Sequence, residues 1–253
     1  MRAAFALLLI APLAACASAP APNSGFLTRY DQMPARTDTV RASIRERQDA
    51  QALAQVRKVA VAPTVYATGA TLDWMTEAER KALAREVDAQ LCFELSKRYE
   101  LAPQGAAEAH KVRAAIAGVE PTGRFASAAS AAASFFIPGP LGVRAPGTTG
   151  ALAVEAEMLA PAGEQIAAIS WRRTAKPVGT DDPSLSRIGD ALQFAEPFAD
   201  AAARTMTAKD HKSRKIGEPD PCAEFGARLR PEGFLAKFAT GLYVPDLSGA
   251  KND

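Results

Sequence analysis

Apolar positions along this chain follow two periods. Leu83, Val87, Leu91 and Leu95 recur at intervals of four, one stripe of a helix, and Thr76 with Glu79 three residues on is a capping box that sets its start. That helix should end near Tyr99, with Lys97 and Arg98 placed favourably against its dipole. A second helical stretch over 185–207 carries Ile188, Leu192, Phe194, Phe198, Ala202 and Met206 on its apolar side, and Pro197 must kink it or begin a new helix. Elsewhere the period drops to two. Residues 58–63, 99–102 and 111–119 read as strands, the last with Val112, Ala114 and Ile116 on one face. Residues 151–159 and 165–173 form a hairpin around Ala160-Pro161-Ala162-Gly163. In its first strand Val154, Ala156 and Met158 face one way and Glu155 and Glu157 the other.

The order strand, helix, strand, hairpin, helix predicts an α+β fold. It is a two-layer sandwich, a mixed or mostly antiparallel sheet with two helices on one face. Residues 56–208 make up this domain. The stretch 40–56 reads as a peripheral segment, helical at most, because it lacks a strong apolar stripe. Residues 209–253 read as a C-terminal extension strapped to the domain, with Phe234, Leu235, Phe238 and Leu242 as packing contacts.

Composition removes several function classes. Of 253 residues, 48% are hydrophobic and 23% charged, ordinary for a globular chain. Thirty basic residues against twenty-eight acidic ones leave no dedicated nucleic-acid face. His110 and His211 are far apart and no Cys-x-x-Cys or His-Glu-x-x-His spacing occurs, so neither a metal nor a cofactor is expected. Walker loops, dinucleotide fingerprints and Gly-x-Ser-x-Gly elbows are absent.

The first sixteen residues change the picture most. Arg2, an apolar run over 3–10 and Leu13-Ala14-Ala15-Cys16 resemble a bacterial lipoprotein signal. The resemblance implies cleavage after residue 15 and a mature chain that begins at an acylated Cys16, held stably because more than one acyl chain is attached. Ala17, where a retention signal would place aspartate, favours the outer membrane. Residues 17–24 are small, Pro-rich and uncharged, so 16–55 reads as a lipidated tether and peripheral segment that lifts the domain off the membrane. Cys92 and Cys222 remain in a compartment that permits disulfides; they are either bonded, or Cys92 is a buried helix thiol.

Three groups of side chains invite a functional reading. Glu155 and Glu157 share a face, as a glycosidase pair would, but solvent-facing carboxylates opposite a basic residue such as Arg172 account for them as well. The run Lys209, His211, Lys212, Arg214 and Lys215 is either a headgroup or partner contact or a solvated loop. The uncharged stretch 125–143, with Phe125, Phe135, Phe136, Ile137 and Leu141, is an interaction segment if exposed and an internal element if buried.

Gly25-Phe26-Leu27-x-x-Tyr30 after the lipobox, the strand from Val59 to Pro63, and Val154-Glu155-Ala156-Glu157-Met158 running to Gly163-Glu164-Gln165-Ile166 resemble the bacterial lipoproteins that share domain of unknown function 3313. The resemblance supplies no activity and no site residues. The function expected is that of a lipid-anchored, non-catalytic envelope lipoprotein. Its partners are the membrane, through Cys16, and an envelope protein or a second copy. The alternatives are a carrier of a hydrophobic small molecule with a pocket lined by Phe135, Phe136 and Trp171, and a hydrolase without a recognisable motif.

Overall fold

The computed structural model describes residues 18–39, 41–123, 142–143, 149–176, 178–179, 181–240 and 242–250. Its centre is a seven-stranded sheet made from β1 (Ala42–Gln48), β2 (Lys58–Val61), β3 (Val65–Tyr66), β4 (Glu100–Leu101), β5 (His110–Glu120), β7 (Ala151–Leu159) and β8 (Gln165–Thr174). The spatial order is β1-β8-β7-β5-β2-β4, with β3 also beside β5. The pairs from β1 to β5 are antiparallel, whereas β2 and β3 run parallel to β5 and β4 runs parallel to β2. A separate two-stranded ladder joins β6 (Gly142–Val143) to β9 (Val178–Gly179).

Two long helices cover one face. In α2 (Glu77–Ser96) the capping box forms, with Thr76 Oγ1 accepting from Glu79 N and Glu79 accepting in return, and Leu83, Val87, Leu91 and Leu95 are fully buried. In α3 (Gly189–Thr205) every residue of the expected apolar side is buried, and Pro197 lies inside a continuous helix. The starts of both helices lie together, where Arg187 grips Glu79, and so do their ends, where Tyr99 Oη donates to Met206 O at 2.8 Å. The helices are therefore parallel. Trp171 packs edge-on against Phe194 and Phe198 with ring centroids 6.5 and 5.8 Å away, so aromatic side chains fill the space between sheet and α3. Burial of each such ring stabilises the fold by about 1.5–3 kcal/mol.

Two readings of the chain's flanks are corrected. The stretch read as a peripheral, at most helical segment contains β1, which pairs along its length with β8, followed by a short α1 (Ala50–Leu53). Only Ile44 of that edge strand is buried, so its period of two hardly registers in the sequence. In the C-terminal extension, which carries α4 (Pro231–Thr240) and α5 (Pro245–Ser248), Phe234 and Leu235 are exposed rather than packed.

The extension is held to the outer side of α2 at several points. Cys92 and Cys222 form a disulfide across a sequence separation of 130 residues. Arg228 donates to Phe93 O at 3.0 Å and to Asp220, and Arg230 reaches the buried Glu86, which burial pushes above its ordinary pKa despite that cation. A cross-link closing so long a loop removes much chain entropy from the unfolded state. Cys222→Ser is expected to lower the unfolding free energy by about 2–5 kcal/mol in urea titrations without reductant, and the gap should close when reductant is added to both proteins.

Candidate functional site

On the face of the sheet away from the helices, β7 presents Glu155 and Glu157. The expectation of solvent-facing carboxylates opposite Arg172 is corrected: both residues are 0% exposed, and Arg172 pairs with Glu120 instead. What covers them is the N-terminal segment. Ser24 donates to Glu155 through its backbone N (3.2 Å) and its Oγ (2.6 Å), and Tyr30 Oη donates to the same carboxylate at 2.6 Å. Thr28 donates to Glu157 through N and Oγ1, both at 2.9 Å, while Gln165 Nε2 and Arg113 Nε each donate at 2.6 Å. All four carboxylate oxygens thus accept from the chain itself.

The sequence of this strap fits its task. Gly25 has φ +82°, a left-handed conformation that costs glycine little, and the turn lets Ser24 and Thr28 both aim at β7. Leu27 is buried, and the Phe26 ring lies 4.7 Å beneath the Arg113 guanidinium. Arg45 adds bonds to Ala21 O (3.0 Å) and Asn23 Oδ1 (2.7 Å). Burial pushes the Tyr30 phenol above its ordinary pKa, and its bond to Glu155 pushes it the same way.

The strap's first described residue is also fixed. Ser18 Oγ donates to Arg41 O at 2.9 Å and accepts from Thr174 N at 3.0 Å. The expectation that 17–24 is a free tether is therefore corrected from Ser18 onward, since Ala21 is buried against the domain as well. The alternation in β7 revealed two faces; it carried no signal for which distant segment covers the polar one.

The remaining expected residues scatter. Cys16, Phe125, Phe135, Phe136, Ile137 and Leu141 lie outside the described residues. Trp171, assigned to a carrier pocket, is core instead. In the basic run, His211 Nε2 lies 2.6 Å from Arg98 O and Arg214 donates to Tyr99 O at 2.9 Å, which places the run at the C-terminal ends of α2 and α3. A cavity of about 560 Å³ lies beside the disulfide, lined among others by Pro63, Arg85, Asp88, Leu101, Glu224 and Phe225. Sequence reasoning missed Asp88, whose carboxylate accepts from Thr64 N at 2.7 Å and is raised above its ordinary pKa by burial. Among the described residues no cluster of His, Cys, Asp and Glu could hold a metal ion, and no helix is long and apolar enough to cross a membrane.

Removing the Glu157 carboxylate takes away the acceptor of Thr28 N and Arg113 Nε and the shorter of the two bonds of Gln165 Nε2. Glu157→Ala is expected to cost about 3 kcal/mol in urea unfolding, and Tyr30→Phe about 1.5 kcal/mol. Both variants should expose 18–30 to hydrogen exchange while β5, β7 and β8 stay protected. At Asp88 the sign is opposite. A carboxyl whose folded pKa is raised binds its proton more tightly in the folded state, so stability falls as pH rises from the ordinary carboxylate range toward the raised value. Asp88→Asn should therefore gain in melting temperature over the parent between about pH 4 and neutrality, and match it below that range.

No curated protein sequence matches the chain. Among solved structures, a PelC dodecamer from Paraburkholderia phytofirmans is similar, with 9% identity, a TM-score of 0.39, and 67% of this chain and 99% of that chain covered. A point variant of PelC from the same organism in a second crystal form is similar at 13% identity and a TM-score of 0.36, covering 66% of this chain and 99% of that one. The model of a protein family of unknown function, DUF3313, matches residues 22–202, a span that takes in the strap from Pro22 onward, all nine strands, α2 and nearly all of α3, and the chain belongs to that family.

Proposed function

We propose that this protein is a lipid-anchored envelope lipoprotein of the outer membrane that acts without chemistry, by holding another envelope component. The observation that carries the reading is the lipobox-like Leu13-Ala14-Ala15-Cys16 set directly before a domain to which Ser18 is fastened through Arg41 and Thr174. Acyl chains on Cys16 attach the domain to a leaflet; its surfaces then present a binding site at fixed height. The partner is an envelope protein or a second copy. A non-catalytic role is supported by the paired carboxylates, since both are buried and each of their oxygens accepts from the strap or from Arg113 and Gln165 of the neighbouring strands.

The carrier alternative loses the place first assigned to it, because Trp171, Phe194 and Phe198 occupy the space between sheet and helix. Any carried molecule would instead use the cavity beside the disulfide, whose volume lies within the range of small-molecule sites.

Cys16→Ala is the direct test. The variant should move from the membrane fraction to the soluble periplasmic fraction with its fold intact, and the N-terminal peptide of the parent should carry acyl mass. A variant that stays in the membrane fraction would exclude the lipid anchor. Native mass measurement of the parent in mild detergent should give a discrete assembly or a complex with another envelope protein; a monomer with a bound lipid beyond its own acyl chains would favour the carrier.

A further inference from the structure

We infer that the domain sits directly on the bilayer in one orientation, with the sheet end that holds Ser18 against the lipid headgroups and Leu185, Phe234 and Leu235 entering them. The inference rests on the lipidation of Cys16 proposed above. Only Ala17 separates Cys16 from Ser18, so the two Cα atoms lie at most about 7 Å apart. Ser18 is itself fastened to Arg41 and Thr174. A lipid on Cys16 therefore fixes one identifiable end of the molecule at the membrane, with no tether to let it turn over.

That end is defined by the ladder. Ala42 pairs with Arg173, Ala151 with Thr174, and Glu120 with Ala151, so the start of β1, the end of β5, the start of β7 and the end of β8 converge there. The helices begin at the same end. Asp190 in the first turn of α3 accepts from Gly150 N at 2.7 Å, Thr122 N donates to Arg187 O at 2.7 Å, and Arg187 grips the start of α2.

Exposed apolar side chains collect in the part of the chain tied to this end. Leu185 is 51% exposed, and its neighbour Ser184 donates to Tyr243 O at 3.0 Å while Tyr243 N donates to Pro183 O at 2.9 Å. Tyr243 lies between α4, which carries Phe234 (67% exposed) and Leu235 (63%), and α5, which carries the exposed Leu247. Ser184 on Tyr243 and the approach of Gly233 to Leu247 and Ser248 tie the segments that carry these side chains to one another, and the nearest apolar phase available to an end fastened beside Cys16 is the bilayer. The basic run fits the same orientation from the other side. His211 and Arg214 are bound near Arg98 and Tyr99, at the opposite ends of helices such as α3, whose seventeen residues span about 25 Å, so they stand away from the headgroups.

The test uses full-length lipidated protein in vesicles of phosphatidylethanolamine and phosphatidylglycerol, with a nitroxide-bearing lipid as quencher. Cys16 is acylated and Cys92 is bonded to Cys222, so an introduced cysteine is the one free thiol among the chain's cysteines. A polarity-sensitive fluorophore on Leu185→Cys or Leu235→Cys should shift to the blue on reconstitution and lose intensity to the nitroxide lipid. On Ala162→Cys, in the hairpin tip at the far end of β7, it should do neither. These positions are exposed, so labelling leaves the core intact. Acyl mass on the N-terminal peptide with unquenched probes at 185 and 235, or with quenching at 162, would overturn the orientation and leave the lipidation standing. Absence of acyl mass would overturn both. Probes at 185 and 235 that are already blue-shifted on soluble Cys16→Ala protein, without any lipid, would overturn the membrane contact in favour of a second copy on this patch.

Discussion

Two carboxylates in the middle of a sheet, both out of contact with water, are the constraint around which this structure is arranged. A buried carboxylate is strongly unfavourable unless its lone pairs are met by donors, and a neighbouring one doubles the requirement. β7 places Glu155 and Glu157 on one face, two residues apart, where β5 and β8 supply Arg113 and Gln165. Those two donors serve only Glu157. The rest must come from elsewhere in the chain, and the segment from Ser24 to Tyr30 brings two backbone N–H groups, two hydroxyls and a phenol to the pair. The sheet face and the strap are therefore mutually dependent. Neither the acids without the strap nor the strap without the acids has its polar groups satisfied.

The opposite side of the molecule follows related logic with different chemistry. Glu86 lies on the outer side of α2 and is buried by the C-terminal extension, which supplies Arg230 and the backbone N–H of Ala250. Here the disulfide between Cys92 and Cys222 and the fork of Arg228 on Asp220 and Ser96 hold the covering segment as well. Chain segments on both flanks of the sandwich thus close over a buried acid. The N-terminal one relies on hydrogen bonds, the contact of Phe26 with Arg113 and the burial of Ala21 and Leu27, whereas the C-terminal one adds a covalent link. The strap, the flank without a cross-link, is also the flank next to Cys16.

The elements with an undivided apolar period were legible in the sequence. Leu83, Val87, Leu91 and Leu95 located α2, the capping box located its start, and the alternation through Val154, Ala156 and Met158 located the central hairpin and its inner face. β1 was not legible because an edge strand with one buried residue leaves too little contrast between its faces. The strap was missed for another reason. Its motif, Gly25-Phe26-Leu27 with Tyr30, was visible as part of the family resemblance, yet its partners are 125 to 131 residues away, and no local period encodes a contact of that kind. The acids were likewise identified as a pair with a shared face, while their burial depended on the same distant segment.

Fastening Ser18 gives the position of Cys16 a consequence, because only Ala17 separates the two. On a free tether, the domain would sample all orientations and any face could meet a partner. Held at Ser18, the parallel helices and the ladder give the domain two unlike ends, one beside Ser18 and one about 25 Å away at the C-termini of α2 and α3. The distant end carries the hairpin tip at Gly163 and the loop with Lys209, His211 and Lys212, which borders a cavity of about 530 Å³ together with Arg57. On the proposed orientation these cationic surfaces would face away from the membrane. On that proposal a partner reaching the domain from the distant end would meet basic side chains first, and one within the membrane would meet the apolar Leu185, Phe234 and Leu235. The strap therefore determines more than the integrity of one sheet face, because by holding Ser18 it fixes at which of the two unlike ends the chain leaves the domain toward Cys16.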